Sequence, residues 1–383
     1  MKYLYLMMVV LCLIGTYYPI APGITLADYI CIPLFIVSCY KILLKRWGFD
    51  IFFKLTSIYI ICMLLSALFN GNLFNTTFIN FFRNYTYGSI IYLVTVNCLK
   101  SYKDIKVLLF FFLAYVLVFL FNYQTMMQDS FSQDLAHIDF GYGRNNVAFT
   151  AMLLAIFCEF LFYSKLLKSY IVLLIPLMLL IMVSCASRFA FIMFVTSFIV
   201  YRIFAKTGFS KRELFTIVLL MLVTPFVSSL LMNYIDSSFL SSSSEYLTEK
   251  VNNADDDFIH LRIFAINLIP IEKFYNENGL GHLLLGDGVS IQHSWFSHTF
   301  ITTGIVGLIC YIKTNIELIL WSFKYKGVGL FLFIFITAMI SNDFITNARF
   351  IVNVNSMLYA LLCAIIYKYI ELNENNNSRS ISC

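Results

Sequence analysis

The stretch that opens Asp236-Ser-Ser-Phe-Leu-Ser-Ser-Ser-Ser244 and closes His293-Ser-Trp-Phe-Ser-His298 is the only long polar interval in the chain. On either side of it, apolar runs of about twenty residues alternate with very short connections. That contrast decides the fold class. A chain of 383 residues with 60% hydrophobic and 12% charged side chains has too little polar surface to cover a water-soluble globule. Its mean hydropathy of +0.82 says the same. The expectation is an all-α, polytopic membrane protein whose polar machinery sits in one large loop.

Crossing a hydrocarbon layer of about 30 Å takes about 20 apolar helical residues. On that basis we expect twelve spans, near 3–18, 24–40, 51–69, 85–99, 105–123, 147–163, 170–186, 189–204, 214–234, 296–312, 327–341 and 350–370. The first resembles a signal peptide in its length and in Lys2, but no small-x-small cleavage site follows it, so it counts as a span. The whole chain, 1–383, reads as one integral membrane domain, with residues 235–297 inserted as the large outer loop between spans nine and ten.

Lysine and arginine set the orientation. With the N-terminus inside, only seven of the 26 basic residues fall outside: Arg83, Arg144, Arg188, Lys250, Arg262, Lys273 and Arg349. The net charge of +5 is spread over many short connections and forms no cluster, so it reads as a topology signal rather than as the mark of a nucleic-acid partner. The ten cysteines form no CxxC pair and no cluster with histidine, which argues against a structural zinc site or disulfide framework.

Five of the seven outside charges are arginines, and Arg83, Arg144, Arg188 and Arg349 lie within a few residues of a span's outer end. Arginine offers a planar fork of donors that grips phosphate or carboxylate at two points. The set points to a shared anionic, lipid-borne substrate; snorkelling to headgroups, or pairing with acids such as Asp139 or Asp343, is the alternative for each one. Arg188 stands in Ser184-Cys-Ala-Ser-Arg-Phe189, where one span turns into the next with hardly any loop. Arg144 and Asn145 close the smaller outer loop in Gly141-Tyr-Gly-Arg-Asn-Asn-Val147, where the asparagines suit a helix cap. His137, among loosely spaced aspartates in the same loop, is only a weak metal candidate.

In the large loop, Asp255, Asp256 and Asp257 can cap an amphipathic helix from about 258 to 269, stopped at Pro270, with Arg262 at the edge of its apolar face. A glycine turn, Gly286-Asp-Gly288, precedes His293 and His298. Either imidazole is suited to take a proton from a sugar hydroxyl near neutral pH.

Ser187-Arg188 at the tight turn, Arg262-Ile-Phe-Ala-Ile-Asn267, Leu285-Gly-Asp-Gly-Val289, and His293-Ser-Trp-Phe followed by Gly304-Ile-Val-Gly307 together resemble the O-antigen polymerase and O-antigen ligase family. The resemblance covers roughly 143–308 and the span layout. Ser294 stands where the family usually has asparagine, and the spacing to Gly304 and Gly307 favours His293 over His298.

The resemblance implies a glycosyltransferase that needs no cofactor and no metal, in the bacterial inner membrane, with both termini cytoplasmic and the large loop periplasmic. Its donor is a glycan on undecaprenyl pyrophosphate, which an O-antigen polymerase joins to another lipid-linked repeat unit and a ligase transfers to lipid A-core. Arg188 and Arg262 would stabilise the departing pyrophosphate, and His293 would orient or deprotonate the attacking hydroxyl. Arg83, Arg144, Asn145, His298 and Arg349 are the further substrate-binding candidates. Implied partners are membrane lipids, a chain-length regulator and a flippase. A lipid-linked oligosaccharide flippase is the competing class, disfavoured by few mid-span charges and no repeated halves.

Overall fold

The computed structural model describes residues 1–21, 24–129, 144–167, 174–185, 188–204, 266–278, 280–288, 295–323, 328–345 and 353–381. Among these are twelve α-helices: α1 (Lys2–Gly15), α2 (Leu26–Leu43), α3 (Ile51–Phe69), α4 (Thr76–Cys98), α5 (Tyr102–Asp129), α6 (Arg144–Tyr163), α7 (Leu174–Ser184), α8 (Arg188–Phe204), α9 (Ile266–Asn278), α10 (Trp295–Phe323), α11 (Val328–Ile345) and α12 (Asn353–Ile381). A two-stranded antiparallel hairpin, β1 (Pro19–Ala21) and β2 (Ile24–Thr25), joins α1 to α2.

Five of these helices carry stretches long and apolar enough to cross a membrane: Leu26–Leu43, Phe52–Phe69, Tyr102–Tyr123, Asn146–Tyr163 and Phe296–Ser322. Large apolar side chains such as Ile32 and Phe35 on α2, Ile61 and Leu68 on α3, Phe110 and Phe121 on α5 and Ile309 on α10 are exposed. In water such surfaces would aggregate; in a bilayer they are the lipid contact. The protein is a predominantly helical membrane protein. The expected ninth span, 214–234, lies outside the described residues.

The centre is α6, enclosed over 83% of its apolar length against 22% for the peripheral α2. Phe157 and Phe160 of α6 meet Phe112 of α5, Phe331 of α11 and Tyr369 of α12 edge to face. Polar ties fix one end of the bundle. Lys2 of α1 pairs with Asp104 of α5 at 2.6 Å. Asn97 of α4 accepts from the Gly48 amide ahead of α3, Tyr102 of α5 donates to Asn373 of α12, and Tyr369 donates to the Ser164 carbonyl after α6. At this lysine-rich end Asp50 caps α3, accepting from the Phe53 amide at 2.8 Å and from the Tyr92 hydroxyl at 2.6 Å. Burial pushes the Asp50 carboxyl above its ordinary range, against the pull of those two bonds.

Two elements differ from the expectation drawn from sequence. Helix α4 begins at Thr76, nine residues before the expected start at Tyr85. The charge of Arg83 marked a boundary in the sequence, but the residue sits inside the helix because Asp28 of α2 neutralises it, while Phe78, Phe81 and Tyr85 bury along the same face. The loop helix was expected to stop at Pro270; instead α9 runs through Pro270 to Asn278. Proline there forgoes the bond to the Ile266 carbonyl, and the helix continues past it to Asn278. The expected upstream part, 258–265, lies outside the described residues, as do Arg262 and the acids that were to cap it.

Candidate functional site

At the end opposite Asp50 and Lys2, α3 stops at an Asn70-Gly71-Asn72 turn. Gly71 takes φ 70°, and the Asn72 and Gly71 amides donate back to the carbonyls of Ala67 and Leu68, a glycine-dependent helix stop. The two asparagine side chains on this turn reach across to a loop 215 residues later. Asn70 Nδ2 donates to the Gly286 carbonyl at 2.9 Å, and Asn72 Nδ2 to the Asp287 carbonyl at 3.0 Å.

That loop, residues 283–288, fills a break in α10. Gly304 interrupts the helix with φ 64° and ψ −164°, a conformation essentially reserved for glycine. The Ile301 and Thr302 carbonyls, orphaned by the break, accept from the amides of Asp287 at 2.9 Å and Gly288 at 3.0 Å. On the far side of the break, the Ile305 and Val306 amides donate to the Leu283 and Leu284 carbonyls. Broken backbone within an apolar helix survives only where protein groups satisfy it, and here the loop supplies four exchanges. Ser66 of α3 adds a donor to the Thr302 carbonyl at 2.7 Å.

The fit leaves no room for side chains. A Cβ on Gly286 would lie 2.2 Å from the Ile301 oxygen, one on Gly288 2.7 Å from Ala67 Cα, and one on Gly304 2.4 Å from Leu284. The two glycine motifs of the sequence, about fifteen residues apart, are therefore the two halves of one joint.

The half-helix held by this joint carries His298, which is fully buried and stacks on Phe81 of α4 at 4.3 Å between ring centroids. Beside it, the Tyr59 hydroxyl of α3 is surrounded by those of Tyr85, Thr299 and Thr303. Below Tyr59 and Tyr85 a cavity of about 120 Å³ runs toward Phe52, Tyr92 and Leu318 between α3, α4, α10 and α12. Among the described residues no charged side chain lines it. Its Thr56, Ser89, Thr314 and Ser356 hydroxyls all donate to backbone carbonyls, and Tyr59, Tyr85, Tyr92, Tyr311, Tyr359 and Asn315 complete its polar lining.

Of the residues singled out in the sequence, the structure brings Arg83 and His298 to this end of the bundle. Arg83 Nη1 stands 3.5 Å from Asp28 Oδ1, and Asp28 also accepts from the Thr25 amide and from Tyr87 at 2.6 Å each. For Arg83 the local-acid alternative finds a partner in Asp28; Asp139 lies outside the described residues. Arg144 and Asn145 stand in the first turn of α6, and Arg188 is the first residue of α8. Arg262, His293, Arg349 and the His137 loop lie outside the described residues. Among the described residues no three His, Cys, Asp or Glu side chains converge as a metal set.

No known family model matches this chain, and no curated protein does.

Sequence reasoning missed Ser66, Asn70, Asn72 and Asp28. The Asn-Gly-Asn triplet is a turn signature at the end of a span and was legible as such. Its attachment to residues 286 and 287 carries no local signal. Next to the joint, α9 places Tyr275 against Phe300 at 5.5 Å. Burial, and then the charge of Asp287, pushes the Tyr275 phenol up to about 12.

Proposed function

We propose that this chain is an O-antigen polymerase, a glycosyltransferase with twelve spans, cytoplasmic termini and its site on the periplasmic face of the bacterial inner membrane. The observation that carries the reading is the joint between residues 283–288 and Gly304. The two glycine motifs behind the family resemblance interlock, and a polar, histidine-bearing half-helix is held at the lysine-poor end of the bundle.

In this reading a hydroxyl of the acceptor repeat unit attacks the anomeric carbon of the donor glycan. The bond from that carbon to the pyrophosphate oxygen breaks, and undecaprenyl pyrophosphate departs with the electron pair. Arg188 and Arg262 meet the charge that develops on the leaving group, a contribution of a few kcal/mol per well-placed donor. Arg144, Asn145 and Arg349 assist at the same rim. Arg83 is already engaged by Asp28, which supports a positioning role for it. The proton of the attacking hydroxyl goes to His293. His298 is fully enclosed, and an imidazole without solvent access meets no sugar hydroxyl, which supports His293 as the base and His298 as its structural neighbour.

The glycolipids of a deletion strain test this. Core carrying a single repeat unit is the expected result. Bare core with accumulating lipid-linked polymer would make the protein a ligase, and lipid-linked units retained on the cytoplasmic side would make it a flippase.

A further inference from the structure

Helices α1 and α2 run antiparallel and are joined at the end of the bundle opposite Lys2 and Asp104. There Gly15 of α1 lies so close to Ala27 of α2 that a Cβ on the glycine would stand 2.7 Å from the Ala27 nitrogen. Small residues let two helix backbones approach to this extent. One turn deeper into the bundle the same contact brings Cys12 against Cys31, with Cys31 Sγ donating to Cys12 Sγ at 3.5 Å. Both side chains are fully buried. Their separation of 19 residues follows no cysteine motif, so the fold alone makes them a pair.

Two geometric conditions govern a disulfide. The Cα atoms must lie within about 7 Å, and the sulfurs must be able to close to about 2 Å. The backbone contact at Gly15 and Ala27 holds the helices at the close spacing that the first condition demands. The thiols already touch, and each needs to move only about 0.7 Å, a small rotation about χ1, to meet the second. Such a staple has something to hold. Helix α2 is peripheral, enclosed over only 22% of its apolar length. Three residues before Cys31 it carries Asp28, which engages Arg83 and Tyr87 of α4. A covalent tie at Cys31 fixes the turn of α2 that carries Asp28, and through it the position of Arg83.

We infer that Cys12 and Cys31 are a redox modification site, joined as a disulfide that staples α2 to α1 near the outer face of the membrane. The inference takes from the proposed function only the orientation, which turns this end toward an oxidising compartment. The oxidant is a protein disulfide of the thiol oxidoreductase class. One cysteine thiolate attacks it, forming a mixed disulfide and releasing one oxidoreductase thiolate. The second cysteine attacks the mixed disulfide at the sulfur of the first, so the bond between Cys12 and Cys31 forms and the other oxidoreductase thiolate leaves. The pair gives up two electrons and two protons, and the oxidoreductase disulfide takes them up to become a dithiol. The exchange takes place during insertion, before packing of the bundle encloses both sulfurs.

The test is made on the full chain in its bacterial membrane. Cells are quenched in acid, and the protein is labelled with N-ethylmaleimide in denaturant, with and without prior reduction, then mapped by peptide mass spectrometry. Without reductant Cys12 and Cys31 escape the label and appear as one cross-linked peptide pair, lighter by two hydrogens; after reduction both are labelled. Buried Cys158 of α6 takes the label in both samples. In Cys12→Ala, Cys31 becomes labelled without reductant. Thermal unfolding reads the same bond. Cys12→Ala and Cys31→Ala each melt lower by about 4 °C, and the double variant loses well under the sum, because the second substitution has no bond left to break. Labelling of Cys12 and Cys31 without reductant to the extent of Cys158, or melting losses that add strictly, overturns the staple. Failure of the polymerase reading is seen separately, as a deletion strain with unchanged lipopolysaccharide.

Discussion

Replacing Gly304 with alanine tests the joint on which the site depends. A methyl group at this position would stand 2.4 Å from the Leu284 carbonyl carbon and oxygen and 2.6 Å from the Leu285 nitrogen. The backbone at φ 64° and ψ −164° costs a non-glycine residue about 1–3 kcal/mol by itself. Relief requires residues 283–288 to withdraw, which breaks the amide bonds from Asp287, Gly288 and Ile305, at 2.9, 3.0 and 2.9 Å. Each is worth about 1 kcal/mol net, so the whole loss comes to about 5 kcal/mol. Straightening α10 would recover helical bonds but orphan the loop's own donors and acceptors, which limits the rescue.

Two other glycines calibrate the measurement. Gly71→Ala meets nothing within 4 Å but keeps φ 70°, so it should lose about 1 kcal/mol. Gly281→Ala meets nothing and has no such backbone, so it should be neutral. Denaturant or thermal unfolding of the three variants in one detergent gives the ranking directly. A Gly304→Ala protein as stable as Gly281→Ala would refute the interlocked joint.

Arg83→Ala strips a partly buried aspartate of its cation, and should cost about 2 kcal/mol after allowance for the 18% and 13% exposure of the pair. Adding Asp28→Asn should restore part of that, and strictly additive losses in the double mutant would deny the coupling. Asp50, whose carboxyl is raised, binds its proton more tightly folded than unfolded. Its stabilising contribution is therefore full below the unfolded value of about 4 and is lost as pH rises through the folded one. Wild type should gain on Asp50→Asn as pH falls from 7 toward 4, and melting curves that stay parallel would contradict the raised value. In the deletion strain, Arg188→Lys should lose most polymer despite its charge, because the two-point grip on phosphate goes. His293→Ala should abolish polymer, whereas His298→Ala should chiefly lower stability; the reverse pattern moves the base to His298. Purified protein should keep its activity in EDTA, and strict dependence on a divalent cation would restore the His137 loop as a metal site.

The expected third span matches α3 residue for residue, and α6 and α8 were placed within a few residues. Helix α4 was misread at its start because a charge in a half-apolar stretch looks like a boundary until its partner, 55 residues away, is known. The helix near Pro270 was misread because an interior proline weakens a helix without always ending it. The two glycine motifs were visible in the sequence, but nothing local revealed that Gly286 and Gly304 serve the same joint. Asp287 was visible only as part of a turn.

Length, apolar periodicity and the scatter of lysines determined on their own that this is a helical membrane protein with one polar region, because hydrocarbon admits only long, self-bonded apolar helices. The tertiary structure alone decided which polar groups meet. Hydrogen bonds such as Asn70 to Gly286 and ion pairs such as Arg83 to Asp28 join residues far apart in the chain, and their energy depends on distances that no stretch of sequence contains.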